Sequence, residues 1–166
     1  MAEALLITRN DIVKFTALNG NIDTDKFIQF IKIAQDIHIQ QYLGTRLFRK
    51  IQDDIENSTL SGDYEDLVRD YIKPMLIHWS MVEYLPWASY SLSNKGVFKH
   101  NSENSDTVDK VDVDFLVEKS RSLAEHYTQR FIDYICNNSS TFPEYNENNN
   151  GDVDPNTDNF YAGWYI

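Results

Sequence analysis

Cysteine is almost missing from this sequence. Cys136 stands alone, so no internal disulfide can form, and a secreted domain stapled by disulfides is excluded. Glycine is sparse too, and no glycine-rich loop is present to cradle a phosphate. Gly44 and Gly62 stand isolated, where helix-capping glycines are expected. No apolar run approaches the roughly 18 residues that a membrane-spanning helix needs. The first residues, MAEALLITRNDIVKF, lack the basic stretch and apolar core of an export signal. The setting these absences imply is a reducing bacterial or viral-host cytoplasm. No internal repeat is visible at any length.

Positive charge is scarce. Fifteen Lys and Arg face 26 Asp and Glu, for a net charge of −11 and a pI near 4.6. Sequence-specific nucleic-acid binding relies on Lys and Arg to neutralise phosphates, and docking on an anionic membrane has the same need. Neither is expected here. The acidity still allows DNA to pass close by, because an acidic wall repels DNA and keeps it from sticking. After Arg130 there is no Lys or Arg at all, and more than half of the net charge lies in that last segment.

What the sequence does have is helical periodicity and aromatic rings. The spacing predicts a mainly α-helical bundle of about five helices. The first begins after Thr8, with Asp11 favouring its opening turn. The second carries Phe27, Ile28, Phe30, Ile31, Ile33, Ala34 and Ile37 as a broad apolar face and ends at Gly44. Thr45 opens the third, with Leu47, Phe48, Ile51 and Ile55 as its stripe. The fourth runs from about Tyr64 toward Asn94 and includes Pro74 and Pro86, so it is expected to kink or to be two helices in series. Its centre, MLIHWSMVEYLPW, is the most apolar stretch and reads as the buried middle of the protein. Residues 94–109 read as a long loop, with Val97 and Phe98 as a short strand. The last helix runs from about Asp109 to Asn137.

Motifs for catalysis or metal binding are weak. His38, His78, His100 and His126 are scattered, with no HExxH and no cysteine partner. Glu83 sits in the apolar stretch, and its expected role is a salt bridge to Arg46 or Lys73. An enzyme reading would instead pair Glu83 with His78 as acid and base. Cys136 has no neighbour that would lower its pKa, and Asp133 would raise it. Asp152, Asp154, Asn156 and Asp158 alternate like the start of a calcium loop, but Thr157 and Gly163 stand where the loop needs Gly and Glu. No enzymatic activity, cofactor or metal is expected.

The tail is the most informative feature. Residues 1–138 are expected to form the helical domain and 139–166 an extended C-terminal arm. Asparagine and acidic residues dominate the arm until it finishes on Phe160, Tyr161, Trp164, Tyr165 and Ile166. A polar linker of this kind has too little apolar area to offset its ordering entropy by itself. Rigid aromatic rings are good anchors, so the tip is expected to lodge on a neighbouring subunit. The alternative is a strap laid back over its own helices.

Four segments carry a family resemblance: IKIAQDIHIQQYLGTRLFRKI (31–51), YIKPMLIHWSMVEYLPWASYSLSNKGVFKHNSENS (71–105), FLVEKSRSLAEHYTQRFIDYI (115–135) and FPEY (142–145). Together they resemble head–tail connector proteins of crAss-like and related tailed bacteriophages, also called neck, adaptor or ring proteins. The resemblance implies a homo-oligomeric ring, twelvefold, below the portal protein and in contact with other neck and tail proteins. It implies genome DNA passing through the centre, a place in the virion, and assembly in the host cytoplasm. It also implies that loops and terminal arms grip the partners. Here those are Val97, Phe98, Lys99 and His100 in the 94–109 loop, and the five residues of the tip. The rival readings are a cytoplasmic α-helical enzyme and an acidic regulatory binding protein that mimics DNA.

Overall fold

The first helix shows how local chemistry sets a boundary. Thr8 accepts the backbone N–H of Asp11, and the Asp11 carboxylate accepts the N–H of Thr8 at 2.8 Å, so two donors with no partner inside the helix are satisfied reciprocally. This starts α1, Arg9–Phe15. Lys73, from the middle of the chain, reaches the same carboxylate at 3.5 Å. The computed structural model describes residues 4–16, 24–88, 90–93, 96–99, 110–147 and 152–158.

The chain is mainly α-helical, and the five expected helical segments are all present. After α1 comes α2, Thr24–Ala34, which continues through a π-helical turn, Gln35–Ile39, into α3, Gln40–Glu56. Gly44 breaks α3 with φ 73° and ψ 157°, a backbone conformation that only glycine adopts readily. The expected boundary between the second and third helices lies at this break. The next segment comprises α4, Asp63–Leu67, a second π turn, Val68–Ile72, and α5, Lys73–Tyr84. Pro74 stands in the first turn of α5, directly after the π turn. There the bonding has already shifted, with Lys73 N–H reaching Val68.

The helix does not continue to Asn94 as the sequence suggested. Pro86 sits in a 3₁₀ turn, Leu85–Trp87, that ends it. The chain then forms a hairpin of β1, Tyr90–Ser93, and β2, Gly96–Lys99, antiparallel with Leu92 opposite Val97 and Ser91 opposite Phe98. Val97 and Phe98 therefore do lie in a strand, and Lys99 ends it opposite Tyr90. His100 lies outside the described residues. The long helix α6, Lys110–Asn137, follows. It leads through a 3₁₀ turn, Ser139–Thr141, into the short α7, Pro143–Asn146.

The core is built around α5, whose apolar side chains are spread around most of its circumference. Met75, Leu76, Ile77, Trp79, Met81 and Val82 are all buried. A helix of this kind must be covered on more than one side. Both α2 and α6 pack on it and scarcely touch each other, so they cover different sides. On α2 the broad apolar face divides. Phe27, Phe30, Ile31 and Ala34 turn inward, while Ile28, Ile33 and Ile37 remain exposed. The N-terminal segment is held over the core by Gln35, fully buried in the first π turn. Its side-chain oxygen accepts Leu6 N–H at 2.9 Å, and its amide donates to the Ala4 carbonyl at 3.0 Å.

Asp11→Ala should remove the α1 cap and the tie to Lys73, lowering stability by about 1 kcal/mol at neutral pH. Burial tends to raise the Asp11 pKa, but the Thr8 hydrogen bonds and the Lys73 ammonium together hold it below the ordinary carboxylate range. Its folded pKa is thus below the unfolded value. Its contribution is complete above the unfolded value and is lost as pH falls through the folded one. Urea unfolding of both proteins should show the gap closing below about pH 4. A gap unchanged by pH would contradict this account.

Candidate partner-binding surface

The arm expected to begin at residue 139 begins later. Phe142 is completely buried and Tyr145 nearly so, and both belong to the main core. Phe142 meets the edge of Tyr64 at 5.2 Å, and the Tyr64 hydroxyl donates to Glu144 at 2.5 Å. Burial, followed by that bond to Glu144, drives the Tyr64 pKa upward. Two buried rings, with hydrogen bonds from Tyr64 to Glu144 and from Arg46 to the Glu147 carbonyl, thus fasten 139–147 to the body. This corrects the linker reading of that stretch.

Residues 152–158 are fastened as well, and the break at Gly44 is the reason. Breaking a helix leaves carbonyls without partners before the break and N–H groups without partners after it. The distant segment satisfies both. Thr45 N–H donates to the Val153 carbonyl at 3.0 Å, and Asn156 N–H donates to the Gln41 carbonyl at 2.9 Å. Val153 N–H returns a bond to the Thr45 hydroxyl at 3.1 Å, and that hydroxyl donates to the Asp152 carboxylate. The Thr45 bond holds the Asp152 pKa below the usual range. Arg46 donates to the Glu147 carbonyl. Pro155 covers Gly44 so closely that a Cβ there would lie 2.8 Å from its ring. Up to Asp158, then, the segment is a strap on its own domain. The tip residues Phe160, Tyr161, Trp164, Tyr165 and Ile166 lie outside the described residues.

The acidic run of the strap is not assembled as a cation loop. Asp152 turns to Thr45, and the Asn156 side-chain oxygen accepts Asp158 N–H at 2.8 Å. Among the described residues no group of three His, Cys, Asp or Glu side chains is gathered for a metal.

The histidines are sorted by their ring partners. His78 lies flat against Tyr127, with centroids 5.3 Å apart, and burial pushes its pKa down. His38 lies flat against Trp79 at 4.0 Å and donates from Nε2 to Glu83 Oε1 at 2.8 Å. Trp79 in turn donates to the Thr128 hydroxyl at 3.1 Å. Glu83 therefore pairs with His38, not with Arg46 or Lys73, and it does not meet His78. The two residues lie five apart on α5 and face different sides, so the acid–base pair of the enzyme reading is not assembled. The π turn carries His38 onto α5, a rearrangement of bonding that apolar spacing does not reveal.

One further cluster escaped the sequence reading. The end of α1, the second π turn, α5 and α6 enclose a cleft of about 730 Å³. Lys14, Phe15, Arg69, Lys73, His78, Tyr127 and Arg130 line it, together with Asp11 and Asp70. Four cations thus converge in a strongly acidic protein. The only trace of this in the sequence is the helical spacing of Arg69 with Lys73 and of Tyr127 with Arg130.

Comparison with known proteins adds a family and no function. The model of a family of unknown function, DUF6712, matches residues 39–155, well over half of the chain. No curated protein and no solved structure matches. The matched region runs from the first π turn, through the Gly44 break, to the proline that covers it.

Gly44→Ala should strain the backbone by about 1–3 kcal/mol and also expel Pro155. The expected result is a lower unfolding midpoint, together with faster cleavage at Glu147 by a glutamate-specific protease. Cleavage at the wild-type rate would mean that the strap does not depend on the break.

Proposed function

The chain belongs to the DUF6712 family, and we propose that it is a virion structural protein. On this reading it forms a ring in the bacteriophage head–tail neck, below the portal, through which genome DNA passes. The resemblance of four segments, three of them long, to connector proteins of tailed phages suggested the role. One structural observation carries the oligomeric part: the molecule leaves apolar side chains exposed on two separate faces.

The first face is the outer side of α2 and the π turn after it, where Ile33 and Ile37 are 38% and 54% exposed. The second is the first half of α6. There Val117 packs against the core, while Val111 and Phe115, by helical spacing on the other side, are 77% and 67% exposed. Leu116 and Leu123 are also exposed. Helices α2 and α6 cover different sides of α5, so these two faces look in different directions. A closed ring needs a head-to-tail contact between two different surfaces of the same chain, and a pair of separate apolar faces supplies one.

The charge fits the same role. A net charge of −11 keeps free copies soluble and mutually repelled, which favours assembly on a docking template over spontaneous association. Acidic residues facing the channel would let DNA slide without binding.

The test is light scattering and negative-stain electron microscopy of the full chain, alone and with the portal protein of the same phage. Rings on the portal are expected for the wild type. Phe115→Glu and Ile37→Glu should each abolish them while leaving helicity and unfolding temperature unchanged. A wild-type chain that stays monomeric and ignores the portal would overturn the proposal.

A further inference from the structure

The cleft between α1, α5 and α6 has a chemistry of its own. Its two carboxylates are already engaged. Asp70 is bonded to Arg69 at 2.7 Å, and Asp11 meets Lys73 at 3.5 Å. Lys14 and Arg130 are held differently. Lys14 lies over the Phe15 ring at 5.2 Å, and Arg130 lies over Tyr71 and Tyr127 at 5.7 and 5.9 Å. Among the described residues neither is in a salt bridge. Asp70 does feel the charge of Arg130, but its bond to Arg69 comes first in holding its pKa below the usual range. A cation over a ring face still has N–H donors to give to an anion.

The walls are aromatic. His78 and Tyr127 lie parallel with centroids 5.3 Å apart, and Phe15 stands 59% exposed at the rim. Burial pushes the His78 pKa down, so at neutral pH the imidazole is an uncharged stacking surface. Such a cleft suits a flat ring that carries a compact anion. Two cations without carboxylate partners match a phosphate monoester, which carries about −1.5 to −2 at neutral pH and offers three acceptor oxygens. A single carboxylate would neutralise only one of them. At about 730 Å³ the space falls within the roughly 300–1,000 Å³ typical of small-molecule sites. We propose that the cleft binds a mononucleotide, with its base among the rings of Phe15, His78 and Tyr127 and its phosphate on Lys14 and Arg130.

The charge of the chain decides the size of the ligand. A net charge of −11 repels an extended nucleic acid, and a surface that tracks a backbone needs a run of unpaired cations. A single nucleotide escapes most of that repulsion, because acidic residues further off than about 8 Å are largely screened at physiological ionic strength. Lys14, Arg69, Lys73 and Arg130 meanwhile stand in the cleft itself. Stacking on rings tolerates any base, so purine and pyrimidine nucleotides should both be accepted. The site lies within one copy of the chain, so the inference goes beyond the proposed function and does not rest on it.

Calorimetric titration of the full chain with adenosine monophosphate tests it. Saturable one-to-one binding with a Kd below about 1 mM is expected. Adenosine alone and inorganic phosphate alone each fill half of the site and should bind roughly tenfold more weakly. Lys14→Gln and Arg130→Gln, each checked for an unchanged unfolding temperature, should weaken the nucleotide by about tenfold. Phe15→Ala should weaken it severalfold. Lys119→Gln, an exposed position of α6 that does not line the cleft, should change nothing. In nuclear magnetic resonance spectra the ring protons of His78 and Tyr127 should shift along the titration. An absence of saturation, phosphate that binds as tightly as the nucleotide, or Lys14 and Arg130 variants that bind like the wild type would each overturn the proposal. So would a single-stranded DNA oligonucleotide that binds more tightly per nucleotide and loses as much to Lys119→Gln as to Lys14→Gln, because a backbone-tracking surface would then account for the binding.

Discussion

Burial of α5 is the constraint from which the rest of the architecture follows. A helix with Met75, Leu76, Ile77, Trp79, Met81 and Val82 spread around most of its circumference has little surface that can be left to water. Each such side chain gains about 1.5–3 kcal/mol by leaving solvent, so covering only one side would forfeit much of the gain. The chain responds by placing α2 and α6 on different sides of it and laying the N-terminal segment across the core. The same response leaves the surplus apolar residues of α2 and α6 facing outward in different directions.

Polar groups near this core are handled locally. Trp79 has its indole N–H bonded to Thr128, and that hydroxyl is itself bonded to the Ala124 carbonyl of the preceding turn. Gln35 satisfies two backbone groups of the N-terminal segment at once. Leaving such groups unpaired would cost about 1–3 kcal/mol each, comparable to a buried methyl or two. The two π turns belong to this economy. Each shifts the helix register by a residue, one bringing Gln35 and His38 into place and the other preparing the helix for Pro74.

Much of the fold was legible in the sequence, and the reasons are local. Thr8 with Asp11, Gly44 before Thr45, and the apolar stretch around Trp79 all act within a few residues, where spacing speaks directly. The hairpin was half legible. Val97 and Phe98 suggested a strand, but its partner at Tyr90–Ser93 was absorbed into an over-long helix, because Pro86 ends α5 in a way that spacing alone cannot time. Glu83 was expected to pair with Arg46 or Lys73, yet its hydrogen-bond partner His38 comes from 45 residues away through a π turn. The cleft was invisible for the same reason: Lys14, Lys73 and Arg130 meet only after three helices have packed. The strap stood only as the alternative to a free linker, because composition averages over a segment. Phe142, Tyr145 and Pro155 each act singly, and the backbone hydrogen bonds of Val153 and Asn156 carry no side-chain signature.

The strap also sets an order of events in time. The helix break at residues 41–45 acquires its backbone partners from residues 153–156, more than a hundred positions further along the chain. The entropic cost of closing so long a loop is shared with the docking of Phe142 and Tyr145 on the core just before the strap. A nascent chain that has emerged only through α6 holds an open joint in its third helix, and the joint seals once Asn156 has been synthesised and has come home. Folding of the middle of this protein is thereby coupled to translation of its far end, so a ribosome stalled in the acidic segment would hold a molecule with a loose hinge.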